Sequence, residues 1–228
     1  MNMSAKISET IEDYLSIMLV LERDQEPIVG ARLAELIGVS PPTVTNTLKR
    51  MARAGLISMD EKNGTHLTDR GLEAAKSVMR RHMLTEWLLS PMLGWSKTHS
   101  QAHSMEHTVS DELEIALKND LENPPVCPHG NPLPGFEDVV ADWKPLLSFP
   151  DGSEVTIRRV HELAEQNPDL LAFLEENQVM PGNTAKIIKN LPFNQTITLE
   201  INHVAAILGY RVARYIYVTP VSLTESTG

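Results

Sequence analysis

The stretch from Ala31 to Gly55 leaves the chain few conformational choices. Ala31 to Ile37 has the length and apolar spacing of a short helix, and Gly38 supplies the left-handed residue on which helices end. Ser40 then offers a capping hydroxyl, with Pro41 at the first position of a second helix, where a missing N–H does no harm. That helix is expected from Pro41 to about Ala54, with Val44, Leu48 and Met51 turned inward and Gly55 ending it. Helix, tight turn and helix in this rhythm is a helix-turn-helix pattern.

The outward face of the second helix carries Thr43, Thr45, Asn46, Lys49, Arg50 and Arg53, with Ser40 and Pro42 at its start. Short hydroxyls and an amide near the N-terminus reach base edges, and the cations further along suit phosphates. The bland alternative is a helical hairpin with a solvated face, and the charge distribution argues against it. Residues 1–40 hold 3 basic and 7 acidic side chains, residues 41–81 hold 8 and 4, and residues 82–228 hold 9 and 19. A basic island in a chain of net charge −10 marks a localised phosphate-facing surface. The DNA-facing set is therefore Ser40, Pro42, Thr43, Thr45, Asn46, Lys49 and Arg50.

Around this motif, Ser8 or Thr10 starts a first helix with the stripe Ile11, Tyr14, Leu15, Met18, Leu19 and Leu21, and Asp13 lies off it. Leu56–Met59, a turn over 60–64 and Thr65–Leu67 read as a β-hairpin wing. Thr68 caps a long helix reaching about Leu89, with His82 and Glu86 at i, i+4, before Pro91 and Gly94 break it. Ser96 or Thr98 then caps a helix expected to continue to about Leu121. This helix carries His99, His103, Glu106 and His107, whose spacing i, i+4, i+7, i+8 puts three imidazoles and a carboxylate on one face.

Residues 123–152 hold 7 of the 15 prolines, which predicts a semi-rigid linker with one short helix near Val139–Trp143. Beyond it the pattern turns β-rich: strands at Glu154–Val160, Thr184–Ile188, Thr196–Ile201 and Val212–Val218, with a helix over Pro168–Asn177 capped by Asn167. The fold class is mainly α with α+β parts. Residues 1–74 form a winged helix-turn-helix, 75–145 a helical metal-binding domain, and 146–228 a linker and small β-barrel. No apolar run spans a membrane, no signal peptide is seen, and Cys127 is the only cysteine, which fits a reducing cytoplasm.

His82, Glu86, His99, His103, Glu106 and His107 place imidazole and carboxylate donors on successive helices, a set suited to manganese(II), iron(II), cobalt(II) or zinc(II). The glutamate beside His107 is wrongly placed for a His-Glu-x-x-His protease, and the two Glu-x-x-His motifs that a diiron bundle needs are not present. There is no phosphate-cradling glycine loop and no Gly-x-Ser-x-Gly elbow. Cys127 reads as a structural thiol and His129 as a turn residue. These absences argue against an enzyme. The alternative left open is a metal-binding protein or metalloenzyme whose winged helix serves protein interaction.

Glu12-Asp13-Tyr14-Leu15, Leu33 to Thr45, Leu67-Thr-Asp-Arg-Gly71, Arg81 to Glu86, His103 to His107 and Cys127-Pro-His-Gly-Asn-Pro together resemble one family nearly end to end. It is the diphtheria toxin repressor and manganese transport regulator family of metal-dependent transcriptional repressors. The resemblance implies a homodimer on double-stranded operator DNA, helical dimerisation contacts, a C-terminal iron-transport-like small domain and two metal positions. One would use Asp13, His103, Glu106 and His107, and the other His82, Glu86 and His99. Asp13 stands where iron sensors have methionine, and His103 where cysteine or glutamate is usual; Ser16 replaces a carboxylate of some manganese regulators. With no sulfur among these ligands, manganese(II) is favoured over iron(II), with zinc(II) or cobalt(II) as alternatives. Third-domain ligands would fall near Asn167 and Leu170, with Glu165, Gln166 and Asp169 close by.

Overall fold

In the computed structural model, the described residues are 7–60 and 64–221. They divide into two compact units, one of residues 7–60, 64–82 and 105–110, the other of residues 83–104 and 111–221.

In the first unit, α1 (Glu9–Arg23) buries Ile11, Tyr14, Leu15, Met18 and Leu21, as its stripe predicts, and also buries Glu12. Helix α2 (Gly30–Ile37) ends at Gly38 with φ +73°, and α3 (Pro41–Arg53) begins on Ser40, whose Oγ accepts from the Thr43 amide at 3.4 Å. Val44, Leu48 and Met51 enter a common core with α1 and Leu33. Strands β1 (Ile57–Asp60) and β2 (Gly64–Leu67) pair antiparallel as the wing. Residues 61–63 of its expected turn lie outside the described residues. Thr68 Oγ1 accepts from the Gly71 amide at the start of α4 (Asp69–Leu93). A Cβ on Gly71 would sit 1.9 Å from the Leu56 carbonyl oxygen, so only glycine lets α4 approach the chain there. Helix α4 continues through Pro91, later than the expected break, and stops before Gly94 at φ +84°.

In the second unit, α5 (Trp95–Met105) is capped from outside its own sequence. Glu175 accepts from the Trp95 amide at 3.0 Å and from the Ser96 hydroxyl, placing an anion on the helix N-terminus. The helix does not run on to Leu121 as its periodicity implies. It stops at Met105; a 3₁₀ turn holds Glu106–Thr108, and α6 (Asp111–Asp120) starts afresh.

The proline-rich segment is no linker either: Cys127, His129, Asn131 and Leu133 are buried. After β3 (Lys144–Pro145), β4 (Glu154–Val160), α7 (Glu162–Glu165), α8 (Pro168–Glu176), β5 (Thr184–Leu191), β6 (Thr196–Ile201), β7 (Val204–Gly209), α9 (Tyr210–Ala213) and β8 (Ile216–Pro220) complete the chain. The strand order β3-β8-β4-β5-β6-β7 describes an antiparallel sheet that is open, where a closed barrel was expected. Strand β7 was not anticipated, and the expected strand Val212–Val218 is part helix and part β8. Val155, Ile157, Ile187, Leu199, Leu208 and Val218 fill its core with Leu171 and Leu174 of α8.

Candidate metal centres and nucleic-acid interface

The break after α5 re-aims Glu106 and His107 independently of the helix face on which His99 and His103 lie. In the first unit, His107 Nε2 faces Asp13 Oδ1 at 3.1 Å and Glu106 Oε1 at 3.6 Å. Asp13, Glu106 and His107 each offer a ligand atom within 4.8 Å of the others. Glu106 is 2% exposed, and its Oε2 is held by His82 Nδ1, the imidazole assigned from sequence to the other metal position. Glu12, which the sequence reading left unassigned, contacts His107 Nδ1 through Oε2 at 2.6 Å and Arg81 through Oε1 at 3.1 Å. The available signal was an acid set directly among the buried positions of α1. His103 is exposed in the last turn of α5, three residues ahead of Glu106.

The second unit gathers a separate donor set. Glu86 is fully buried and Glu165 is 2% exposed. His99 Nδ1 lies 3.2 Å from Glu86 Oε1 and 2.9 Å from Glu165 Oε2, while Gln166 Nε2 donates to His99 Nε2 at 3.2 Å. Of the third-domain residues named from sequence, Glu165 and Gln166 are the ones that contact His99. Asn167 instead caps α8, accepting from the Leu170 amide at 3.1 Å. His82, one turn before Glu86 on α4, is also buried.

His129 has more than a turn role. Its Nδ1 lies 3.2 Å from Glu86 Oε1 and 3.7 Å from Glu165 Oε1, and its Nε2 lies 3.2 Å from the Trp95 carbonyl oxygen. Two carboxylates beside Nδ1 favour the imidazolium form. Burial works against that charge, but Glu86 and Glu165 outweigh it and raise the pKa from 6.5 to about 9. Cys127 is also beside Glu86, the two forming with His129 a further cluster of ligand atoms within 4.8 Å. Burial first, then the two carboxylates, push the Cys127 thiol well above its ordinary value. Asn131 ties this loop to its neighbours. Its Nδ2 donates to Glu165 and, at 2.8 Å, to the Val160 carbonyl, and its Oδ1 accepts from Arg159 Nε at 2.5 Å.

Carboxylates this deeply buried are costly unless they are neutralised by cations or protons. Imidazole and carboxylate donors fit a divalent transition metal, so the residues present suit such an ion. On α3, Ser40, Pro42, Thr43, Thr45, Asn46, Lys49 and Arg50 are all exposed. The Ser40 and Thr43 hydroxyls are 2.9 Å apart and Thr45 Oγ1 donates to the Pro41 carbonyl, which orders these short side chains at the helix start. No helix among the described residues is long and apolar enough to cross a membrane.

Comparison with known proteins covers most of the chain. The sequence profile for the iron dependent repressor N-terminal DNA binding domain matches residues 6–65, that for the iron dependent repressor metal binding and dimerisation domain matches 68–135, and the FeoA domain matches 144–220. The iron-dependent repressor IdeR of Mycobacterium leprae is 32% identical over 93% of this chain and 98% of its own length. The diphtheria toxin repressor of Corynebacterium jeikeium is 37% identical over 75% of each. Among solved structures, a manganese-dependent transcriptional repressor in complex with manganese superposes with a TM-score of 0.79 at 28% identity, covering 92% of this chain and 100% of the other. ScaR with bound zinc gives 0.76 at 32% identity, covering 92% and 99%. The chain therefore belongs to the iron-dependent and diphtheria toxin repressor family, and is a metal-dependent, DNA-binding transcriptional repressor and not an enzyme.

Proposed function

We propose that this repressor is a cytoplasmic homodimer that manganese(II) activates for binding to double-stranded operator DNA. The observation that carries the reading is the convergence of Asp13, Glu106 and His107, with their donor atoms within 4.8 Å of one another. His103, one turn upstream of Glu106 and His107, is assigned as the fourth ligand. Glu86, Glu165 and His99 form the core of a second position, with His82 one helical turn before Glu86. The domain boundaries at residues 74 and 145 follow the same division of labour.

Asp13, Glu106 and Glu12 bring three carboxylates together, and like charges disfavour that assembly. A bound divalent cation supplies the compensating charge. Asp13 on α1 and Glu106-His107 after α5 then hold α1 in place, and α1 shares its core with α3. This fixes the attitude of the recognition helix, whose Asn46 reads a base edge while Lys49 and Arg50 hold phosphates. Moving a two-state switch from about 1:99 to 99:1 needs on the order of 5.5 kcal/mol of preference for the DNA-competent form. Exposed Leu88 and Met92 on α4, with Leu113 and Ile115 on α6, supply an apolar surface for the second subunit.

Hard oxygen donors and the absence of sulfur from the first set favour manganese(II) over iron(II) there. A second reading applies to the other position. Cys127 beside Glu86 and His129 adds a soft donor, which favours zinc(II) or iron(II) at that place. Anaerobic calorimetric titration with manganese, iron, cobalt and zinc, on wild type and on Glu106→Gln and Cys127→Ser, tests both. The reading expects Glu106→Gln to abolish the manganese site and Cys127→Ser to weaken zinc only. Manganese binding that survives Glu106→Gln overturns the assignment.

A further inference from the structure

We infer that Glu12 is a positioning residue that selects the tautomer of His107, so that Nε2 is the nitrogen presented to the metal. The inference rests on the reading of His107 as a ligand. His107 stands between two carboxylates, with Nδ1 2.6 Å from Glu12 Oε2 and Nε2 3.1 Å from Asp13 Oδ1. A neutral imidazole has one N–H and one lone pair, and an ionised carboxylate only accepts. Glu12 is the nearer acceptor, so a neutral ring keeps its proton on Nδ1 and leaves the Nε2 lone pair for a cation held by Asp13 and Glu106.

Glu12 is itself held. It is 9% exposed, Arg81 Nη2 donates to its Oε1 at 3.1 Å, and Arg81 Nη1 donates to the Val109 carbonyl at 3.4 Å. The guanidinium contact tethers the carboxylate where it meets His107 Nδ1. Glu12 lies outside the set of ligand atoms that converge on Asp13, so its part is to orient and not to coordinate. A carboxylate behind a ligating histidine fixes the ring and raises the basicity of the coordinating nitrogen. The residue next to the metal-facing Asp13 therefore serves the same centre from behind.

The test begins with metal-free wild-type protein, whose His107 tautomer is read from long-range ¹H–¹⁵N couplings in alkaline buffer. The Nδ1–H form is expected, and the Nε2–H form in folded wild type overturns the inference without any variant. In Glu12→Gln and Glu12→Ala the Nε2–H form should appear, and manganese affinity by calorimetry should fall about 10–100-fold. His107→Ala separates the two levels of the argument. Unchanged manganese binding in that variant refutes the ligand reading itself. Lost binding in His107→Ala, with tautomer and affinity unchanged in both Glu12 variants, refutes the positioning role alone. Arg81→Lys, which retains a cation beside Glu12, should keep the Nδ1–H form; its loss there would show that the guanidinium and not Glu12 sets the ring.

Discussion

Replacing His129 with glutamine should change how the stability of the second unit depends on pH. In the folded protein Glu86 and Glu165 hold the His129 pKa at about 9, against 6.5 for an ordinary imidazole. The folded value is the higher one, so the stabilisation is fully present below about pH 6.5 and is lost as pH rises towards about 9. A difference of about 2.5 units corresponds to about 3 kcal/mol, a large fraction of a domain's net stability. Burial, then Glu86 and Glu165, hold the Cys127 thiol well above its ordinary range, so its own linkage sets in only at the alkaline end of this window. The same residue supplies the assay, because it is the chain's only cysteine, is 2% exposed, and sits two residues from His129. The rate at which a disulfide reagent labels it in chelator-treated protein, relative to a free thiol, reports the opening of this loop. Between about pH 5.5 and 8.5 the opening equilibrium of wild type should rise on the order of 50-fold, while that of His129→Gln stays nearly flat. Parallel profiles for the two proteins would refute the assignment of a charged His129 between the carboxylates.

Gly130 adopts φ +87°, and a Cβ there would lie 1.9 Å from the Arg158 carbonyl oxygen. Gly130→Ala should therefore destabilise the loop by about 3 kcal/mol, from left-handed strain plus disturbance of the bond from Val160 N–H to the His129 carbonyl. Cys127 labelling should accelerate about 100-fold. On DNA, Asn46→Ala should cost about 1–3 kcal/mol on operator and little on random sequence. Lys49→Ala should weaken both and reduce the salt slope by about 1. Anisotropy at several salt concentrations distinguishes the two patterns, and equal losses for Asn46→Ala on both DNAs would remove it from base reading.

What could be read from sequence was locally encoded. Gly38, Ser40 and Pro41 fix helix ends through their own backbone and capping chemistry, and those boundaries lie where the sequence sets them. The end of α5 has no glycine or proline to announce it, and Glu106 and His107 leave the helix to meet His82, Glu12 and Asp13, partners distant in sequence. Strand β7 was missed because its hairpin turns on Asn202-His203, both at positive φ, where glycine usually occupies the second place. Glu86 and His99 were legible as candidates from helical spacing, and Asp13, Glu106 and His107 from the family resemblance. Glu12, Glu165 and the buried state of His129 were not, since each depends on which chain segment folds over it. Proline density misled in the opposite direction, because Cys127 to Leu133 are tied down by Asn131 and Trp95 and not solvated.

The central claim is that a divalent cation held by Asp13, His103, Glu106 and His107 switches operator binding. Fluorescence anisotropy of a labelled operator duplex, titrated with metal-free protein and then with manganese(II), tests it most directly. The account predicts at least about 100-fold tighter binding with manganese, consistent with the scale of known allosteric couplings, full reversal by chelator, and no gain for Glu106→Gln. Operator affinity that is the same in manganese and in excess chelator would contradict it.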